Sequence, residues 1–282
     1  MSGPELPIQY NFPSDTLAGK IVLLAGGSGG LGSATAFLLA RERASLVLGF
    51  RSNRPRAEAL RNALAPLGAQ GGTRIELAPG DLTHPGVPEQ YIRQATDLGP
   101  LAAVAIFAGD PARPAPDEEE SVTGEMERQM ERRHMERMEF SWKVNFQGPY
   151  HLARLAARQM AEQGTSGSIV LVSTMQAVVP FAGSAAYSSP KAALAHAART
   201  LAHEFGGKAN ISVNVVAPGV TDAGMAAASV ASGKYERFLR DGVIPRYGRA
   251  EDVARVVRLL LEPDGYITGQ VITVDGGLTL RR

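Results

Sequence analysis

The chain has 282 residues, 44% of them hydrophobic, a formal net charge of +1 and no cysteine. That length buries one large core or two small ones, and near-neutral charge without a long block of like sign gives no electrostatic hold on nucleic acid or membrane. Disulfides and thiolate metal sites are excluded, no metal ligation is expected, no apolar run approaches the ~20 residues of a membrane span, and residues 1–16 are polar rather than signal-like, so a cytoplasmic protein is expected.

Residues 20–25 form a short apolar run ended by glycines, and 31–41 carry Ala, Phe and Leu at helical spacing: strand, tight turn, helix. Further strands are expected at 46–50, 74–78, 101–108, 168–173, 211–217 and 270–274, with helices at 55–64, 148–163, 185–205 and 250–261. Near-continuous apolar strands alternating with helices predict an α/β, doubly wound three-layer sandwich whose seven-stranded parallel sheet is covered on both faces. Residues 1–16 read as an N-terminal extension to a single domain over 17–282, with no internal repeat.

Two motifs carry chemistry. Gly26-Gly27-Ser28-Gly29-Gly30-Leu31-Gly32 follows the first strand and opens a helix, where close backbone approach, unpaired N–H groups and the positive dipole end suit a pyrophosphate. Standing alone it is equally a flexible turn. Downstream, Tyr187-Ser188-Ser189-Pro190-Lys191 sets a phenol and an ammonium four apart on one helix face, so that the ammonium can stabilise the phenolate and bring a group with pKa near 10 toward use at neutrality. Alone it is an ordinary helix-surface pair; together the two motifs indicate a nucleotide-cofactor redox enzyme.

From about residue 17 to 278 the chain resembles a short-chain dehydrogenase/reductase of the single-domain, Rossmann type. Ala25 through Gly32 matches that family's Thr-Gly-x-x-x-Gly-x-Gly turn, with Ala25 for threonine. Asp81-Leu82 is similar to the pair bordering the adenine ring, Val144-Asn145 to the helix-borne asparagine, Pro218-Gly219 to the turn beside nicotinamide, and Asp275-Gly276-Gly277 to the closing segment. The resemblance implies hydride transfer between a nicotinamide and a carbonyl or alcohol carbon. It assigns proton donation to Tyr187, a lowering of the tyrosine pKa and a ribose contact to Lys191, and a helix kink holding a water to Asn145. The remaining cofactor contacts fall on Ser28, Leu31, Ala108, Gly109, Val220 and Thr221.

Three departures stand out. Ile106-Phe107-Ala108-Gly109 replaces the family's Asn-Asn-Ala-Gly, so apolar packing must substitute for lost hydrogen bonds. The catalytic serine, thirteen residues before the tyrosine in the family, becomes Thr174; Ser173 is the alternative, and strand alternation does not separate the two. Ala223 stands where many members have a threonine contacting the cofactor amide.

At the end of the second strand Phe50 occupies the place of the acid that NAD-preferring enzymes use for the ribose 2′-hydroxyl, and Arg51 follows. A guanidinium matches a 2′-phosphate bidentately, with Ser52, Asn53 and Arg54 as further donors, so NADP(H) is expected over NAD(H). Residues 110–140 form an extended insertion in which 117–140 hold nine acids and four arginines, and Met126, Met130, His134, Met138 and Trp142 make a helix stripe expected as core or subunit contact. Residues 221–247 read as a substrate lid, and Gln176, Val178, Phe181 and Ala182 as approaching the same pocket. No Arg or Lys stands out in that pocket wall, which disfavours a free carboxylate or phosphate on the substrate. The expected function is reduction of a small-molecule carbonyl, or the reverse, by a homo-oligomer, dimer or tetramer. A 3-oxoacyl-[acyl-carrier-protein] reductase is the alternative, and a silent NADP(H)-binding sensor or scaffold the alternative of another class.

Overall fold

Seven parallel strands form one sheet in the order β3-β2-β1-β4-β5-β6-β7: β1 (Ile21–Ala25), β2 (Ser45–Phe50), β3 (Ile75–Pro79), β4 (Leu101–Ile106), β5 (Gly167–Val172), β6 (Ile211–Pro218) and β7 (Val271–Val274). The structure, a computed structural model, describes residues 15–68, 72–112 and 124–281. Most of the extension expected over 1–16, and 113–123 of the expected insertion, lie outside the described residues, as does the side chain of Met126.

Strand residues alternate between two cores. Ile21, Leu23 and Ala25 face Tyr91 of α3 (Val87–Thr96), Leu152 of α5 (Gly148–Gln163) and Leu194 of α6 (Ala185–Phe205). Val22 and Leu24 face Leu39 of α1 (Gly30–Arg41), Leu64 of α2 (Arg54–Gly68) and Val257 of α9 (Ala250–Leu260). Both faces are therefore apolar, which is why β1 reads as an unbroken hydrophobic run, and each fully buried leucine contributes about 2 kcal/mol of transfer free energy. Between β6 and α9 lie two short helices, α7 (Ala227–Ala231) and α8 (Glu236–Arg240), and α10 (Leu278–Arg281) ends the described chain.

Strand limits expected from sequence hold to within a residue or so except at β4, which leaves the sheet at Ile106. The next residue, Phe107, makes one further bond, its N–H donating to the carbonyl of Ala25 at 2.8 Å. Ile106 is 1% exposed in one core and Phe107 packs against the other, so apolar packing does occupy the two asparagine positions. α3 and the short α7, α8 and α10 were not foreseen, whereas a helix was expected where α4 (Gly124–Trp142) lies. α3 is a mostly polar stretch with proline near its start, and α4 carries the methionine stripe. In α4, Met130, His134, Met138 and Trp142 are half-buried on a helix that packs against α6, while Met135 and Phe140 are exposed.

Candidate functional site

β1 is bonded to β2 on one side and β4 on the other, so the chain reverses its direction of growth across the sheet there, and the crevice beyond such a reversal is where this architecture receives ligands. A cavity of about 820 Å³ occupies it. Its floor is the glycine turn. A methyl group at Gly32 would stand 2.5 Å from the Gly26 carbonyl oxygen, and one at Gly30 only 2.4 Å from the backbone nitrogen of Gly224. α1 begins with Gly29 as an N-cap that offers no side-chain bond, so the helix presents uncapped N–H groups to the cavity. Gly26, Ser28, Gly29, Gly30, Leu31 and Gly32 all line it.

At one end of the cavity stand Phe50, Arg51, Asp81 and Leu82. Burial acts to raise the Asp81 pKa, but hydrogen bonds from the Thr83 N–H (2.9 Å) and hydroxyl (2.8 Å) and the charge of Arg51 outweigh it and hold the carboxyl below its ordinary value. Of the other donors expected here, Ser52 lies outside the cavity wall. Asn53 spends its side-chain oxygen on the Arg56 N–H at the start of α2 (3.0 Å). Arg54 sits over the Phe50 ring at 5.6 Å and reaches Glu58 at 3.5 Å. The second cation in the wall is Arg56, which sequence reasoning passed over because the phase of α2 depends on that Asn53 cap. Tyr91 was also missed. It is 1% exposed and its hydroxyl donates to the Gly80 carbonyl at 2.9 Å, while a methyl group at Gly49 would lie 2.6 Å from its ring, so it braces the ends of β2 and β3 under the cavity.

At the other end Tyr187, Thr174, Ser173 and Lys191 meet Ala108, Gly109, Pro218, Gly219, Val220 and Thr221. β5 ends at Val172, yet the Ser173 N–H still donates to the Val216 carbonyl at 2.8 Å and Thr174 keeps extended backbone angles, so strand geometry runs on through both and their hydrogen-bond partners tell the two hydroxyls apart. The Ser173 hydroxyl donates to the Lys191 carbonyl at 3.0 Å. The Thr174 hydroxyl accepts from the Gln176 N–H at 3.3 Å and is hydrogen-bonded to the Tyr187 phenol. Lys191, 2% exposed, donates to the carbonyls of Val172 (2.8 Å) and Ala108 (3.4 Å), and burial pushes it down to about 8.

The expected lowering of the Tyr187 pKa does not follow. Burial comes first and pushes the phenol up to about 12; the Thr174 bond works against it, and Asp110 and Tyr235 add to the rise. A lysine whose own charge is disfavoured and whose ammonium is turned to two carbonyls does not reverse that. Asn145 lies behind the cavity, fully buried, in a π-helical turn (Lys143–Gln147) joining α4 to α5. Its side chain accepts from the Asp110 N–H (3.0 Å) and donates to the Asp110 carbonyl (2.9 Å) and the Ser141 hydroxyl (2.9 Å). A methyl group at Gly109 would meet both Asn145 Oδ1 (2.8 Å) and Lys191 Nζ (3.1 Å), so the kinked helix, the strand end and the lysine close on one point.

Gln176, Phe181 and Ala182 line the cavity, whereas Val178, expected with them, is exposed outside its wall. Residues 221–247 contribute Ala223, Gly224 and Met225 beside the glycine turn, and Lys234, Tyr235, Arg237 and Phe238 farther on. Two cations therefore do stand in this wall, contrary to the sequence reading; the segment folds as short helical pieces whose orientation is set by Phe238, buried with Met175 and Val220. Behind it the Asp275 carboxylate accepts from the N–H groups of Gly277 (2.9 Å) and Thr279 (2.8 Å), and a methyl group at Gly219 would fall 2.6 Å from its Cβ. Among the described residues no group of His, Asp and Glu is placed to hold a metal ion, and no helix is long and apolar enough to cross a membrane.

Comparison with known proteins places this geometry. Residues 25–279 match the family described as Enoyl-(Acyl carrier protein) reductase. Similar proteins include a glucose 1-dehydrogenase of Gluconobacter oxydans, 30% identical over 98% of this chain and 96% of the relative, and a 3-oxoacyl-[acyl-carrier-protein] reductase of Rattus norvegicus, 32% identical over 93% and 98%. Among solved structures, a short-chain type dehydrogenase/reductase from Mycobacterium ulcerans superposes with a TM-score of 0.81 at 29% identity, covering 94% of this chain and 92% of that one. Matched over nearly its whole length by dehydrogenases and reductases, the chain belongs to the short-chain dehydrogenase/reductase family of oxidoreductases, which take a nicotinamide cofactor.

Proposed function

We propose that the protein is an NADP(H)-dependent reductase of a small-molecule carbonyl. The observation that carries this reading is the continuity of one cavity from an uncapped helix start on a glycine turn to a phenol, a hydroxyl and a buried ammonium. The residues fit such a cofactor. The glycine turn leaves room that any side chain would fill, Gly30 to Gly32 would offer N–H groups to the pyrophosphate (the Gly29 N–H is spent on the Gly26 carbonyl at 3.0 Å), Arg51 and Arg56 would hold a 2′-phosphate, and Pro218 to Thr221 would border the nicotinamide. When bound, the cofactor supplies the hydride.

The protein's part is positioning and proton supply. Thr174 donates to the carbonyl oxygen, which fixes it beside Tyr187. Tyr187, neutral at physiological pH because its pKa lies near 12, gives its proton to that oxygen as negative charge develops there. Lys191 holds its ammonium next to Gly109 and Asn145 in the same cavity wall as the phenol, and its role in this reading is to return the proton. The 221–247 segment serves as lid over a single catalytic domain, the described part of 110–140 as an inserted helix, and the exposed Met135 and Phe140 as part of a contact in a cytoplasmic homo-oligomer, dimer or tetramer. Monitoring NADPH consumption against a panel of small ketones, aldehydes and oxidised sugars tests the reading; a Tyr187→Phe variant that turns over at the wild-type rate would sink it.

A further inference from the structure

The 221–247 segment brings into the cavity wall two cations for which hydride transfer has no use. Lys234 and Arg237 both line the cavity and both are solvent-exposed, and among the described residues neither has a carboxylate partner. Arg237 is held in place, its guanidinium 4.9 Å from the centre of the Phe238 ring. Phe238 is itself 6% exposed and anchored against Met175, Val220 and Ile244. Tyr235 stacks on the same ring at 6.4 Å and stands close enough to Tyr187 to disfavour ionisation of the phenol. The two cations flank this tyrosine in the chain, so they belong to the reacting end of the cavity and not to the Arg51 and Arg56 end.

The acids nearby do not neutralise them. Asp110, whose charge reaches Tyr187, lies outside the cavity lining and forms no ion pair with either cation; Asp241 is paired with Arg240 at 3.0 Å, and Asp222 and Glu236 are exposed outside the cavity wall. The wall thus combines an apolar floor of Met175 and Phe181 with two unneutralised positive charges, one of them a fork that matches carboxylate or phosphate oxygens bidentately. Resting on the reduction proposed above, we infer that the carbonyl substrate carries an anionic group, a carboxylate or a phosphate, which Lys234 and Arg237 hold while its carbonyl meets Thr174 and Tyr187. Binding energy from this non-reacting end orients the carbonyl, and placing the cations on the segment that closes lets the anion itself draw the segment down.

The test uses two matched pairs with NADPH: 4-oxopentanoate and its methyl ester, and erythrose 4-phosphate and erythrose. Expected is a kcat/KM higher for the charged member of at least one pair by roughly tenfold or more, mostly through KM, as one or two charge-assisted bonds allow. The pair that shows it tells carboxylate from phosphate. The ratio should fall toward unity in Lys234→Gln/Arg237→Gln and recover in a variant carrying Lys234 with Arg237→Lys. A wild-type preference for the neutral members, or a charge preference that survives the double substitution, overturns the inference. If none of the four is turned over, calorimetric titration of the same compounds into the NADPH-loaded protein decides the point. Charged members that bind more tightly in wild type and in Tyr187→Phe, and not in the double variant, support an anion site even though the proposed reaction has failed; equal binding of charged and neutral members overturns it.

Discussion

Lys191 makes a stability prediction that needs no substrate. Burial takes its pKa from 10.5 to about 8, so between those values the unfolded chain binds more protons than the folded one and stability rises with pH. The burial penalty is present in full below about pH 8, amounts to about 3 kcal/mol at 1.36 kcal/mol per pKa unit, and is relieved as pH climbs toward 10.5. Integrated from pH 7 to 9.5 the relief is about 2 kcal/mol. Lys191→Met removes the ammonium and keeps the length of the side chain. It also removes the bonds to the Val172 and Ala108 carbonyls, about 1 kcal/mol each, a loss that carries no pH dependence over this window. Urea unfolding of wild type and variant, followed by the fluorescence of Trp142 at several pH values from 7 to 9.5, should show wild type gaining about 2 kcal/mol on the variant across the range. Other groups titrating in the window act alike on both proteins and cancel in the difference. A difference that stays flat, or falls with pH, would refute burial as the governing influence on this lysine.

Other outcomes follow from the same geometry. Tyr187→Phe should reduce carbonyl turnover at least a thousandfold, the order expected for loss of a general acid, with NADPH affinity in calorimetric titration near wild type. Thr174→Val keeps the shape and deletes the hydroxyl, and a fall in kcat of about a hundredfold is expected, whereas an unchanged rate would pass the role to Ser173. Arg51→Ala should weaken NADPH binding roughly tenfold or more while leaving NADH affinity nearly constant, and parallel titrations with both nucleotides would expose the reverse. Gly49→Ala drives a methyl group to 2.6 Å from the Tyr91 ring, and a loss of about 1–3 kcal/mol in urea unfolding is expected.

The sheet was readable because both its faces are covered: Val22 and Leu23 point opposite ways and both are fully buried, so β1 and its neighbours appear as apolar runs with glycine at their ends. Helix spacing put Tyr187 and Lys191 on one face, the family resemblance put Thr174 or Ser173 beside them, and all four line the cavity. What spacing does not carry is a side chain's phase when a tertiary contact sets it. Arg56 enters the wall in place of Ser52 because Asn53 caps α2, and Lys234 and Arg237 enter it because Phe238 anchors the short helical turns around them. The Tyr187 pKa was misjudged for a related reason: helix geometry brings the ammonium near, while burial and the carbonyls it meets decide how much charge it can lend.

The contact between Gly30 and Gly224 joins the floor of the cofactor end to the root of the segment at the substrate end, with no side chain between them. If, as proposed above, a nucleotide settles on the N–H groups beside Gly30 and residues 225–247 close over the carbonyl, the expected order is nucleotide first and carbonyl second, with product leaving before the spent nucleotide. Initial-rate kinetics would register that order as product inhibition competitive only between the two nucleotide forms.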